Sequence, residues 1–117
     1  MKAIIRWPLS AAALFLLVAQ TPVPKDDAEK AQDALRDCHI ASAKYYGSNS
    51  CQAPAYIVGA VFASCMSEEN AFKAAVQRGR PNDQLYPTEL IKQIHIKMEP
   101  FIEEIVLDQQ IKIRKCP

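Results

Sequence analysis

The sequence predicts a small all-α domain: an antiparallel three-helix bundle that carries two disulfides and follows an N-terminal signal peptide. Apolar residues recur at helical spacing in three segments, which turn residues separate. The chain begins with a basic end and a short apolar run, the pattern of an export signal. Its four cysteines, an even number, all lie beyond that run. A length of 117 residues suits one such domain.

The N-terminal segment indicates export. Lys2 and Arg6 precede an apolar run over residues 9–19, which is about half the length that a membrane-spanning helix needs. We therefore predict a signal peptide over 1–19, a proline-containing tether over 20–25 and a disulfide-stapled helical domain over 26–117. This division predicts no stable membrane insertion after cleavage. The alternative is an uncleaved membrane anchor that includes residues 3–5.

The first helix is predicted to begin at Asp26 or Asp27, either of which can cap it. Its apolar stripe consists of Ala31, Leu35, Cys38, Ala41 or Ser42, and Tyr45. Because these side chains are mostly small, the stripe permits close approach to a neighbour and buries little area. Gly47 is suited to a left-handed residue that ends the helix.

The second helix is predicted to begin between Ser50 and Pro54, since proline is tolerated in a first turn, and to end at Gly79. One face is bulky, formed by Val58, Val61, Cys65, Phe72 and Val76. The other face is made of small residues, namely Ala60, Ala63, Ser67, Ala71 and Ala74. Two such faces predict a helix that lies between two others.

The third helix is predicted to start at Thr88 as its cap. Its apolar arc consists of Leu90, Ile91, Ile94, Met98, Phe101, Ile102 and Ile105. This phase continues past Pro100, so we expect a kinked but continuous helix. The alternative is a pair of short strands, because residues 94–98 and 111–114 alternate in polarity.

Four cysteines allow three pairings, and the predicted helices favour one of them. If the last two helices pack antiparallel about the turn near residue 83, Cys51 lies opposite Cys116. In the first hairpin, Cys65 lies within one helical turn of the position opposite Cys38. Cys51 and Cys65 would be about 21 Å apart on one helix, beyond the reach of a disulfide. We therefore predict Cys38–Cys65 and Cys51–Cys116.

No catalytic, cofactor-binding or metal-binding residue is predicted. Cys38 and His39 with Cys65 or His95 match no zinc spacing. The adjacent pairs Glu68–Glu69 and Glu103–Glu104 point about 100° apart on a helix and do not converge on a substrate. Without Lys2 and Arg6, the 14 basic residues fall to 12 against 13 acidic ones, so the net charge is −1. This balance gives no reason to expect nucleic acid as a partner.

These observations favour a non-enzymatic protein-binding or inhibitor-type module in a bacterial periplasm or outside the cell, with a protein as its partner. An exported helical domain that ends in a cysteine is loosely similar to the Rap1a/Tai immunity proteins, in the segment TELIKQI and Cys116 alone, and no functional residue carries across. The alternatives are a structural component of a cell-envelope assembly and an envelope enzyme built from scattered residues. Ile96, Leu107 and Ile111, off the main stripe, would form a second contact surface or support a homodimer.

Overall fold

The computed structural model describes residues 26–114 and 116, with only the backbone of Arg114. The predicted signal peptide and tether lie outside the described residues. Those that are described form α-helices and one π-helical turn, and they include no strand. The elements are α1 (Asp27–Asn49), α2 (Pro54–Ser64), α3 (Met66–Gly79), α4 (Tyr86–Gln109) and the π-helical turn Gln110–Arg114. The all-α class is therefore confirmed, and the strand alternative for 94–98 and 111–114 is wrong.

The first helix begins as predicted but ends later. Asp26 caps α1, its Oδ1 accepting a hydrogen bond from the Glu29 N–H at 2.8 Å. Buried residues follow at steps of four, at Leu35, His39, Ala43 and Gly47. Gly47 is thus inside the helix and not its left-handed end, which corrects the prediction.

Glycine is needed at position 47 because two helices pack closely there. A Cβ built on it would lie 2.8 Å from both the Gln109 Cβ and the Val106 carbonyl oxygen. Only glycine leaves enough room for α1 and α4 to approach this closely.

The predicted central helix is two helices. Cys65 separates α2 from α3, with backbone angles of φ −108° and ψ 20°. The Ser64 hydroxyl donates to the Val61 carbonyl at 2.8 Å, and the Cys65 N–H donates to Phe62 at 3.2 Å. A serine hydroxyl bonded back to the preceding turn bends a helix. The described residues therefore form four α-helices where three were predicted, although the expected ends at Pro54 and Gly79 are correct.

The bulky face of this segment forms the core, and the small-residue face does not. Every member of the bulky face is buried. On the small-residue face, Ala60 is half-buried, and Ala63, Ser67, Ala71 and Ala74 are exposed. Because α1 and α4 both pack on the bulky side, the expectation of a helix between two others is wrong.

The last helix runs without interruption through Pro100, which confirms its predicted continuity. It begins at Tyr86, whose N–H donates to Asp83 Oδ1 at 3.1 Å. Thr88 is therefore not its cap. The predicted arc faces the core, with the exception of Phe101, which is 44% exposed.

Side-chain contacts fix the direction of each helix. Gly47 near the end of α1 meets Val106 near the end of α4, so these two helices are parallel. Residues 53–55 at the start of α2 lie beside Leu107, and Arg80 after α3 lies over Tyr86 at the start of α4, so α2 and α3 run in the opposite direction. The chain therefore runs up through α1, down through α2 and α3, and up again through α4. Two core clusters fill the space between these helices. The first includes Ala43, Val61, Ile102 and Val106. The second includes Leu35 and Phe72.

Two disulfides close the fold, and the structure joins the cysteines in the pairs that the helix geometry predicts. Cys38 is bonded to Cys65 with a Cα separation of 5.9 Å. Cys51 is bonded to Cys116 with a Cα separation of 5.5 Å. Beside the second bond, the buried Gln110 amide donates to the carbonyls of Ser50 at 3.0 Å and Gln52 at 2.7 Å. None of the helices within residues 26–114 combines the length and the apolar character needed to cross a membrane.

Candidate functional site

A cluster of aromatic and ionisable side chains lies where α1, α2, α3 and α4 meet. Phe62 stacks on the His95 ring, with centroids 4.0 Å apart and planes 8° apart. His39 meets the edge of Phe62 at a centroid distance of 5.2 Å. His95 Nε2 lies 2.5 Å from Glu69 Oε1, so α3 and α4 are joined by a short hydrogen bond.

His39 is buried in this cluster. Its side chain is 1% exposed, and neither ring nitrogen has a hydrogen-bond partner among the residues that the structure describes. Burial lowers the pKa of His39, and the nearby His95 lowers it further, while Glu69 and Glu68 oppose this. A general acid or base must come within hydrogen-bond reach of the group it serves. The His39 nitrogens are buried and lack that access here.

A cavity of about 260 Å³ lies next to His39. Its lining side chains come from α1 and α4 and include Leu35, Ile94 and Met98, with Arg36 and Lys97 among the polar ones. Five of its eight lining residues are polar or charged, and they are Gln32, Asp33, Arg36, His39 and Lys97.

The residues that the sequence raised as metal ligands are used otherwise. Within the described part of the chain, the only group of three with ligand atoms close together is Cys38, Cys65 and Glu68, all within 4.8 Å of one another. Both sulfur atoms are bonded to each other, and a metal ligand must be a thiolate. His39 and His95 belong to the aromatic cluster described above.

The four tyrosines divide into two groups by exposure. Tyr45 and Tyr56 are exposed, whereas Tyr46 packs against the core. Tyr86 also packs against the core and carries the Arg80 guanidinium 4.0 Å above its ring. Near the C-terminus, Lys112 pairs with Asp108 at 3.1 Å.

An apolar surface lies on the side of α4 that faces away from the core. We call Ile96, Pro100, Leu107 and Ile111 the outer face. Ile96 is 57% exposed, Leu107 49% and Ile111 62%, and Pro100 is also exposed. At 100° per residue, Ile96, Pro100 and Leu107 fall within an arc of about 40° on α4, on the side away from the buried Ile102. They span about 16 Å of α4, and Ile111 follows them in the π-helical turn.

A groove runs beside the outer face. Residues 53–55 at the start of α2 form one wall, and Pro100 and Leu107 form the other together with Glu103 and Glu104. The described residues contain no ion-pair partner for either carboxylate. The groove therefore combines an apolar floor with unneutralised negative charge.

The sequence placed Ile96, Leu107 and Ile111 on a second surface, and the structure shows them exposed there. The sequence did not indicate the groove, because the groove depends on how the start of α2 packs against Pro100. Nor did it indicate the histidine cluster, because His39, Phe62, Glu69 and His95 come from four helices. No protein-family model, curated protein or solved structure matches this chain.

Proposed function

We propose that this chain is an exported, non-enzymatic protein-binding module and that the outer face of α4 is its binding surface. The observation that carries the proposal is the exposure of Ile96, Leu107 and Ile111 together on one side of a helix whose other side forms the core. Aligned apolar side chains of this kind mark protein interaction sites more often than scattered ones do. Two disulfides in a small domain support an oxidising location outside the cytoplasm.

The energy available at this surface is modest. Full burial of a leucine or isoleucine contributes about 1.5–3 kcal/mol. These three side chains are already about half-buried, so each has roughly 1 kcal/mol left to contribute to binding. A partner must therefore also use the groove and the carboxylates beside it to offset the cost of association.

Capture from a cell-envelope extract tests the proposal. The bait is the exported full chain, and the test variant carries Leu107→Ser and Ile111→Ser. The matched control is Leu85→Ser, because Leu85 is 81% exposed and lies in the turn before α4, away from the outer face. Both variants should keep the melting temperature of the parent within a few degrees, since they change exposed side chains.

We expect the parent and Leu85→Ser to retain the same discrete partner and the double variant to lose it. If the double variant captures the same proteins as the parent, the outer face is not the binding surface. The alternative function is a structural component that assembles with its own copies. Light scattering on the purified chain distinguishes this alternative from the binding module, because self-assembly predicts a mass above that of one chain.

A further inference from the structure

The outer face of α4 has a symmetric spacing. Ile96 and Pro100 are four residues apart, as are Leu107 and Ile111, and seven residues separate the two pairs. If two copies of α4 packed antiparallel along this face, Ile96 of one copy would meet Ile111 of the other, and Pro100 would meet Leu107. The apolar pattern alone is therefore compatible with a dimer of identical chains.

The charges at the centre of the face oppose such a dimer. Glu103 and Glu104 lie midway between Pro100 and Leu107 on the two flanks of the face, and the same register would bring Glu103 near Glu103 of the other copy and Glu104 near Glu104. Neither carboxylate has an ion-pair partner in the described residues that could neutralise it. Lys97 lies at the edge of the outer face, four residues before Phe101. It is therefore away from the centre of the face, where the two carboxylates lie. Like charges at the middle of an interface disfavour association.

We propose, resting on the function proposed above, that the outer face binds an amphipathic helix of another protein that carries lysine or arginine opposite Glu103 and Glu104. The straight apolar stripe and the groove along residues 53–55 fit a helix laid lengthwise, with anchors repeating at helical intervals. Basic side chains at its centre would neutralise the two carboxylates. A second copy of this chain supplies glutamates at those positions and is excluded by the same chemistry.

Three synthetic peptides of about 20 residues test the charge requirement on the full chain. Each has leucines at the 4-7-4 spacing of the outer face, with alanine and glutamine elsewhere. The two central positions between the inner leucines are lysine in the first peptide, glutamine in the second and glutamate in the third. Fluorescence anisotropy with the oxidised chain measures the three dissociation constants at low and at high ionic strength.

We expect the lysine peptide to bind at least about tenfold more tightly than the glutamate peptide, with glutamine between them. Salt should reduce this difference, because both carboxylates lie at the surface, Glu103 half-buried and Glu104 exposed. The variant Glu103→Gln/Glu104→Gln should remove the preference for lysine, and Leu107→Ser should weaken all three peptides. Sedimentation of the chain alone should show a monomer.

Two sets of results overturn the inference and separate it from the proposed function. If the three peptides bind equally and Leu107→Ser abolishes binding, the outer face docks a helix but the charge argument is wrong. The charge argument is also wrong if the chain sediments as a dimer that Glu103→Gln/Glu104→Gln strengthens. If no peptide binds, the inference fails. In that case the capture experiment with the Leu107→Ser/Ile111→Ser variant decides whether the proposed function also fails.

Discussion

Replacement of Gly47 by alanine tests the closest helix contact in the fold. In an isolated helix this change would stabilise, since alanine is favoured over glycine by about 1 kcal/mol. Here the new methyl group would lie 2.8 Å from the Val106 carbonyl oxygen and from Gln109 Cβ, and 3.1 Å from Val106 Cα. None of these atoms is the end of a flexible side chain, so α1 and α4 must separate.

The expected magnitude follows from the size of that separation. Carbon atoms in good contact lie about 3.5–4 Å apart, so the helices must move by several tenths of an ångström or more. Overpacking of this kind typically costs about 1–3 kcal/mol, and the movement also strains the Ser48–Gln109 hydrogen bond of 3.2 Å. After the gain in helix propensity, we expect Gly47→Ala to lower the free energy of unfolding by about 1–2 kcal/mol.

Gly59 is the matched control. It lies inside α2, and a Cβ built on it meets no atom within 4 Å. Gly59→Ala should therefore raise the free energy of unfolding by about 0.5–1 kcal/mol, which is the propensity gain alone. Urea denaturation followed by circular dichroism measures both variants. If Gly47→Ala proves as stable as Gly59→Ala, α1 and α4 do not approach each other as described.

Four other changes have defined outcomes. Burial lowers the pKa of His39 in the folded state, so the unfolded chain binds more protons than the folded chain below about pH 6.5. The free energy of unfolding should therefore fall as the pH drops from there, by up to about 1.4 kcal/mol per pH unit. His39→Leu should flatten this part of the profile, and an unchanged slope would contradict the assignment. Removal of the Cys38–Cys65 bond by a double alanine variant should cost about 3.6 kcal/mol in the chain-entropy picture for a separation of 27 residues, to be checked by urea midpoints in oxidising buffer. Asp26→Ala should cost about 1 kcal/mol through loss of the cap, and hydrogen exchange should then speed up in the first turn of α1 only. Ile102→Ala, at a fully buried position, should cost about 2–5 kcal/mol, and a loss under 1 kcal/mol would place Ile102 outside the core.

Features set by local chemistry could be predicted from the sequence. Asp26 is a cap, Pro54 opens a helix and Gly79 closes one, because each depends on the backbone next to it. The α4 arc is predictable because apolar side chains at helical spacing share one face. The cysteine pairs follow from the same spacing once the order of the helices is known.

Features that depend on which helix lies nearby were mispredicted. Gly47 has the local signal of a helix end, yet its use is set by Val106 and Gln109, about 60 residues away. The small-residue face of α2 and α3 has the composition of a contact surface, but no helix among residues 26–114 covers it. The outer face of α4 could be identified as apolar from the sequence, whereas its groove could not, because Pro100 meets residues 53–55 only in the folded chain.

The interlaced order of the two disulfides has a consequence for damage by proteases. Cys51 lies between Cys38 and Cys65, and Cys65 lies between Cys51 and Cys116. A single backbone cut anywhere from residue 38 to residue 116 therefore leaves both fragments covalently attached. The exposed turn before α4 is the natural place for such a cut, and a nicked molecule should migrate as one species on a gel until a reductant is added.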